Sequence, residues 1–318
     1  GHLWFAEGFG VWQTSELDST NLDWQEESAG IEETCGNEVI APPGGAPVGA
    51  MWDVGVFRFS DQNSYTAERG FAYFMSAWSL DWCSADPKFI AGVFRNHLGF
   101  APHVNESGYS TDGGRTWTVF PSIAEGTAPE ALDFGVLAVA ANSADNIVWM
   151  PANNELPCFT ESRGNSWQQS VVEGVVETGF GNYFSPLKAL CADRVLPNTF
   201  YLYLRNAGLY RSTDGGRHFS RMSDTLPLRY NAVLKAAPNH AGHLWFAEGS
   251  QGAPVGGLWR SVDGGKVWSA LPGIEQAFNF GFGKPLQENG YPTLFVAGVA
   301  DGKNGIWRST DEGMTWDK

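Results

Sequence analysis

Short runs in which apolar residues alternate with small or polar ones recur along this 318-residue chain, and no long stretch repeats with a helical period. Val54 to Phe59, Leu187 to Ala192, Phe200 to Leu204, Gly208 to Ser212 and Phe219 to Met222 are such runs, bounded by Gly, Asn, Asp or Pro. They predict short strands joined by tight turns. Thirty-nine glycines, fourteen tryptophans and nine tyrosines strengthen that reading, because aromatic and β-branched residues suit a pleated surface and glycine suits the turns between strands.

The runs are set on a ruler. Ser110 to Trp117 reads Ser-Thr-Asp-Gly-Gly-Arg-Thr-Trp, and relatives of it occupy Ser212 to Phe219, Ser261 to Trp268 and Ser309 to Trp316. Each looks like the Asp-box hairpin of β-propellers. A degenerate copy, Thr160 to Trp167, keeps Gly164 and Trp167 but has no aspartate. Asp112, Asp214, Asp263 and Asp311, with the degenerate copy between the first two, give steps of about 50 residues. Ser60-Asp61 and Thr14-Ser15-Glu16 extend the ruler towards the start, which makes seven units. The expectation is an all-β, seven-bladed β-propeller with four-stranded antiparallel blades, spanning residues 1–318 as a single domain. In the fifth unit the strands are Leu187 to Ala192, Phe200 to Leu204, Gly208 to Ser212 and Phe219 to Met222, from the inside outwards. The boxes themselves read as structural. The aspartate bonds local backbone amides, Gly-Gly tolerates positive φ, and the closing Trp or Phe packs between blades.

Up-and-down connectivity puts the box turns on one face and the loops between second and third strands on the other. Those loops carry Glu7, Asp53, Arg95-Asn96-His97, Asn153-Asn154, Arg205-Asn206, Glu248 and Asp301. Blade symmetry would gather them around the channel mouth, a usual place for a small ligand. Gly1 to Gly8 is identical to Gly242 to Gly249, the second strand of the sixth unit. The first unit therefore lacks an inner strand, which leaves a ladder edge unpaired and predicts that the natural polypeptide continues beyond these residues.

Composition narrows the ligand. A formal charge of −15 disfavours nucleic acid, which needs clustered basic residues, and suits a neutral ligand. No apolar run is long enough to span a membrane, and no leader is visible at Gly1. Cys35, Cys83, Cys158 and Cys191 lack metal-ligand spacing and read as buried thiols, so neither a metal nor a cofactor is expected. Asn105-Glu106-Ser107 is a glycosylation triplet of a kind common by chance.

Several stretches, in order, resemble the C-terminal propeller of the family 74 glycoside hydrolases, the xyloglucanases. They are Ile31-Glu32-Glu33-Thr34 with Ala41-Pro42-Pro43-Gly44-Gly45, then Ala50 to Arg58, Cys191 to Asn198, and Phe280-Gly281-Phe282-Gly283-Lys284. The resemblance implies one of two propellers that face each other across a cleft, a neutral polysaccharide substrate (xyloglucan or a related β-glucan), and secretion. It also implies that Asp53 is the general acid of an inverting hydrolysis whose base lies in the other propeller, so that this chain alone should be inactive or nearly so. Trp52, Val56 and Phe59 depart from the family pattern around Asp53 and favour the competing reading, a non-catalytic propeller that binds glycans or proteins.

Inverting hydrolysis needs a protonated carboxyl and an ionised one roughly 6.5 to 9.5 Å apart. Asp53 stands between apolar Met51-Trp52 and Val54, where burial would favour its neutral form, and the bland reading is that it caps a turn. Glu7 is the best second carboxylate in the chain, although its copy Glu248 ties that glutamate to the strand sequence. Trp52, His97, Asn153, Asn154 and Arg205 are the candidates for sugar stacking and hydroxyl bonding. Trp117, Trp167, Trp268 and Trp316 read as core, while Trp12, Trp78 and Trp82 stay open. A sialidase is disfavoured by the missing arginine motif and by the negative charge.

Overall fold

The structure, a computed structural model, describes residues 1–7, 10–28, 35–61, 63–64, 66, 68–70, 76–96, 104–180, 188–205, 207–227, 231–249 and 256–318. Among them the strands fall into seven sheets taken in chain order, antiparallel except where Val171–Val172 joins the outer edge of the fifth in parallel. The third to sixth sheets each hold the full set of four, with Val104–Asn105 added in the third. In the fifth these are Leu190–Ala192, Phe200–Leu204, Gly208–Ser212 and His218–Ser223, in agreement with the sequence assignment. The first sheet has three strands, Leu3–Glu7, Gly10–Thr14 and Gln25–Glu26, with Leu3–Glu7 at an edge. The seventh has Gln276–Gly283, Thr293–Ala300 and Lys303–Ser309, with Asp317 bridging back to Arg308.

The sheets stack because strands such as Ile147–Met150, Phe200–Leu204 and Leu244–Ala247 are apolar on both faces, and all their residues are buried. A strand apolar on both sides must be covered on both sides. Innermost strands lie side by side: Gly36–Ile40 beside Ser76–Trp82, then Val136–Val139, Leu190–Ala192 and Val233–Ala236. Their edges, which no ladder satisfies, are closed by side chains. Glu38 accepts from the Leu80 amide at 2.9 Å, Ser79 from Leu137 at 3.3 Å, and Asp81 from Val139 at 2.8 Å. Between the fifth and sixth sheets the backbone does this directly, Leu234 donating to the Lys188 carbonyl at 2.9 Å.

The Asp boxes fold as their composition dictates. The Asp112 carboxylate accepts from Ser110 Oγ, the amides of Arg115 and Thr116 and the Thr116 hydroxyl, while Gly113 and Gly114 take positive φ. In the degenerate copy Thr160 Oγ1 still accepts from the Gly164 amide, and Ser162 stands in for the aspartate with a weaker hydroxyl network. Trp117, Trp167 and Trp268 are buried as expected. Trp316 is only half-buried, because the seventh sheet is covered on one face alone. Cys83, Cys158 and Cys191 are buried free thiols, but Cys35 is exposed, contrary to the expectation for all four. It sits just before Gly36–Ile40, where its carbonyl rather than its thiol is engaged, by the Trp52 amide.

Candidate functional site

The loops between second and third strands carry the residues that the sequence singled out. Val48–Met51 and Gly55–Arg58 are paired up to Met51 opposite Gly55, so the three residues between them form a tight turn. Asp53 sits at its tip with φ +64°, a conformation that aspartate tolerates better than most residues. The turn is pinned at three backbone points: the Trp52 amide to the Cys35 carbonyl at 2.8 Å, the Val54 amide to Trp52 at 2.8 Å, and the Asp53 amide to Ser76 Oγ at 3.3 Å. The Asp53 carboxylate is exposed and bonds to none of the described residues. It therefore does not cap the turn, and the apolar enclosure expected from Met51, Trp52 and Val54 is not formed by the described residues.

Beside it runs an aromatic row drawn from three sheets. Trp52 meets Trp78 edge-on with centroids 4.9 Å apart, and Trp78 meets Phe134 at 4.7 Å. The Arg95 guanidinium lies 4.5 Å from the Phe134 centroid and is ion-paired to Asp133. Trp149 Nε1 donates to the Phe134 carbonyl at 2.6 Å, and the Ala152 amide bonds Asp133 at 3.1 Å. The second bond ties the row to the turn that holds Asn153 and Asn154, at φ +63° and +68°. Both asparagines are exposed, and the Asn154 backbone is fixed by Phe180 and Thr178. Trp52, Arg95 and Asn153-Asn154 are thus linked through neighbouring contacts. Arg205 is exposed at the matching turn of the fifth sheet. His97 and Asn206 lie outside the described residues, as does the side chain of Glu7.

Sequence reasoning missed Asp133, Phe134 and the placement of Trp78. A Leu-Asp-Phe-Gly turn just before an apolar strand was the signal available at 132–135. Glu248 is buried and accepts from Trp259 Nε1 at 2.8 Å, which agrees with its being tied to the strand sequence. Of the undecided tryptophans, Trp12 stacks on Phe5 and Trp82 lies under the Arg194 guanidinium at 3.9 Å. Among the described residues no group of three or more His, Cys, Asp or Glu is arranged to hold a metal, and no helix is long and apolar enough to cross a membrane.

The BNR/Asp-box repeat family matches residues 109–119. A xyloglucanase of Paenibacillus is 30% identical over 99% of this chain, and one of Acetivibrio thermocellus is 33% identical over 91% of it. The chain spans only 30% and 31% of their respective lengths. Among solved structures, the GH74 xyloglucanase of Xanthomonas campestris superposes over the whole chain with a TM-score of 0.78 at 26% identity, and the match covers 43% of that protein. The GH74 enzyme of Niastella koreensis shares the fold, with a TM-score of 0.77 over 97% of the chain and 41% of its own. Similarity along nearly the entire chain, the shared fold and the Asp-box repeat together show that this chain resembles a propeller portion of the longer family 74 glycoside hydrolases.

Proposed function

We propose that residues 1–318 are a single seven-bladed propeller forming one wall of a polysaccharide-binding cleft, and that Asp53 is the general acid of an inverting hydrolysis of xyloglucan or a related β-1,4-glucan. The observation that carries this reading is the Asp53 carboxylate itself: exposed, bonded to none of the described residues, and held on a pinned turn beside the row of Trp52, Trp78 and Phe134. A carboxyl in that position can reach a glycosidic oxygen lying on the rim. An opposing wall would bury it, favour its protonated form and supply the base, because a single carboxylate cannot act as both. Trp52, Asn153, Asn154 and Arg205, with His97, would contact the sugar and its hydroxyls. The polymeric substrate places the reaction outside the cell.

The test is Asp53→Asn in a two-propeller protein that contains this chain, assayed on xyloglucan. Loss of a general acid lowers turnover by about 10²- to 10⁴-fold with little change in substrate affinity. Unchanged turnover would remove the assignment. The isolated chain is expected to show little or no hydrolysis.

The packing of Trp52 into the aromatic row favours a second reading, a glycan-binding propeller without chemistry. Retained xyloglucan binding with no turnover in the two-propeller protein would select it.

A further inference from the structure

The inner strand of the third sheet carries an irregularity directly behind the candidate site. Along Ser76–Trp82, Ala77 stands opposite Phe94 and the next paired residue, Ser79, stands opposite Val93, so Trp78 is an extra residue without a place in the ladder. A bulge of this kind bends the strand and re-aims the side chain that it carries. Here the Trp78 ring enters the aromatic row, where it is buried in contact with Trp52 and Phe134. Ser76, two residues earlier, accepts from the Asp53 amide at 3.3 Å. The bulged segment therefore touches both Trp52 and Asp53.

A bulge takes backbone carbonyls out of register, and buried carbonyls need partners. At this bulge the partners are side chains from other sheets. Asn37, itself the extra residue of a bulge in Gly36–Ile40, donates from Nδ2 to the Ala77 carbonyl at 2.7 Å. Lys188 donates from Nζ to the Trp78 carbonyl, and also to Glu38 Oε2 at 3.2 Å. Glu38 in turn accepts from the Leu80 amide, so that ammonium and carboxylate bracket the bulge. Lys188 lies just ahead of Leu190–Ala192 in the fifth sheet, yet its side chain reaches the second and third sheets rather than the neighbouring fourth. Its own backbone is held by the sixth: the amide donates to the Ala232 carbonyl at 3.2 Å, and the carbonyl accepts from the Leu234 amide at 2.9 Å. A lysine fixed at both ends, with its side chain only 15% exposed, has given up the rotamer freedom that surface lysines keep.

We propose that Lys188 is a positioning residue for the sugar-contacting rim: a strut between sheets whose bond to the Trp78 carbonyl holds the bulge in shape and, through the Trp78 ring, sets where the Trp52 indole stands. The inference rests on the reading of this rim as the wall that binds xyloglucan. Lys188 acts through Trp78 and Trp52 and bonds to neither Asp53 nor its turn. That turn has its own backbone pins, from Trp52 to Cys35 and from Val54 to Trp52. The strut therefore governs the indole more than the carboxyl, and its loss falls on substrate affinity rather than on turnover.

The test has two arms. In the first, 5-fluorotryptophan is incorporated into the 318-residue protein, and the fluorine resonances of Trp52 and Trp78 are assigned with Trp52→Phe and Trp78→Phe. Lys188→Met, which keeps the length of the side chain and loses the donor, should shift or broaden both lines and leave those of the buried Trp167 and Trp268 in place. Lys188→Arg should restore them, and Lys188→Gln should show the methionine pattern at smaller amplitude, which keeps the arm decisive if the methionine variant does not fold. In the second arm, a two-propeller protein containing this chain is assayed on xyloglucan. Lys188→Met should raise KM about five- to tenfold, the effect of losing one aromatic contact, with kcat held within about twofold, the reverse of Asp53→Asn. Trp52 and Trp78 lines that ignore both substitutions, lines that move only together with Trp167 and Trp268, an unchanged KM, or a fall in kcat as large as the rise in KM would each overturn the proposal. The outcomes separate it from the catalytic reading. Unchanged turnover in Asp53→Asn removes the general acid and leaves the strut to its own two arms, and a two-propeller protein that neither binds nor cleaves xyloglucan removes the substrate reading while the fluorine lines decide the strut.

Discussion

Asp193 offers the sharpest test of how adjacent sheets are fastened. It is fully buried at the end of Leu190–Ala192, and its carboxylate accepts four hydrogen bonds: the amides of Val195 and Leu196 at 2.8 Å each, the Tyr201 hydroxyl at 3.0 Å and the Gly242 amide at 2.8 Å. The first two fix the turn, the third holds the second strand of its own sheet, and the fourth reaches the sixth sheet. Burial, with Asp193 adding to it, raises the Tyr201 phenol above its ordinary range, so it stays protonated and donates. Asp193→Ala strips the acceptor from two buried donors, the Tyr201 hydroxyl and the Gly242 amide, and from the two part-buried amides of Val195 and Leu196. Each orphaned donor costs roughly 1–3 kcal/mol. Water entering the space left by the side chain recovers part of this, which leaves a loss of about 3–5 kcal/mol. At roughly 2 °C per kcal/mol for a chain of this size, the melting midpoint should fall by about 6–10 °C. Asp193→Asn keeps one acceptor oxygen for the Val195 and Leu196 amides but turns an N–H towards Gly242, so it should cost about half as much. Urea unfolding with calorimetry on the three proteins reads these differences. An alanine variant within about 1 kcal/mol of the parent would refute the reasoning.

Thiol labelling of the native protein should modify Cys35 alone, because burial raises the Cys158 thiol to about 11 and raises Cys83 and Cys191 as well; mass spectrometry showing additional adducts before unfolding would contradict this. Asp311 is held below the usual carboxylate range by the Thr315 hydroxyl, and Asp112 likewise, where bonds from Thr116, Ser110 and Arg115 outweigh the opposing effect of burial. A depressed folded pKa stabilises above the unfolded value near 3.8 and is lost as pH falls through the lower folded value, so denaturant unfolding between pH 6 and pH 2.5 should show less acid sensitivity after Asp112→Asn, at a cost of about 1 kcal/mol at neutral pH. Gly216→Ala should destabilise by about 2–4 kcal/mol in thermal melts, since φ is +92° and the new methyl would meet Val148 Cγ2 at 2.2 Å.

What the chain reveals before folding depends on how far apart the interacting atoms are in sequence. An Asp box is a local object: Asp112 bonds residues two to four positions away, so a pattern eight residues long contains its whole explanation. The strands of the fifth sheet were legible for a related reason, because alternation and turn residues are also local. The aromatic row was not. Trp52, Trp78 and Phe134 come from the second and third sheets and from the segment leading into the fourth, and no periodicity within one segment announces that they touch. Cys35 and Trp316 were misjudged on the same ground, since each resembles its buried counterparts in sequence and differs only in what lies alongside. Trp117, Trp167 and Trp268 are backed by Phe94, Phe120 and Phe246. Trp316 instead donates its indole N–H to the Pro272 carbonyl, with its sheet bare on the far side.

The same distinction bears on Asp53. Its backbone conformation is set locally, by a three-residue hairpin turn and three pinning bonds, and all of these are present in this chain. Its chemistry is not local. A carboxyl becomes a useful acid only when its surroundings disfavour the charged form, and the described residues leave it in water. Under the proposed general-acid role the task is divided: this chain would contribute position and an aromatic floor, and a facing wall would contribute the environment. Enclosure of the rim, rather than any change within the turn, is the step that would convert Asp53 from an exposed carboxylate into a proton donor.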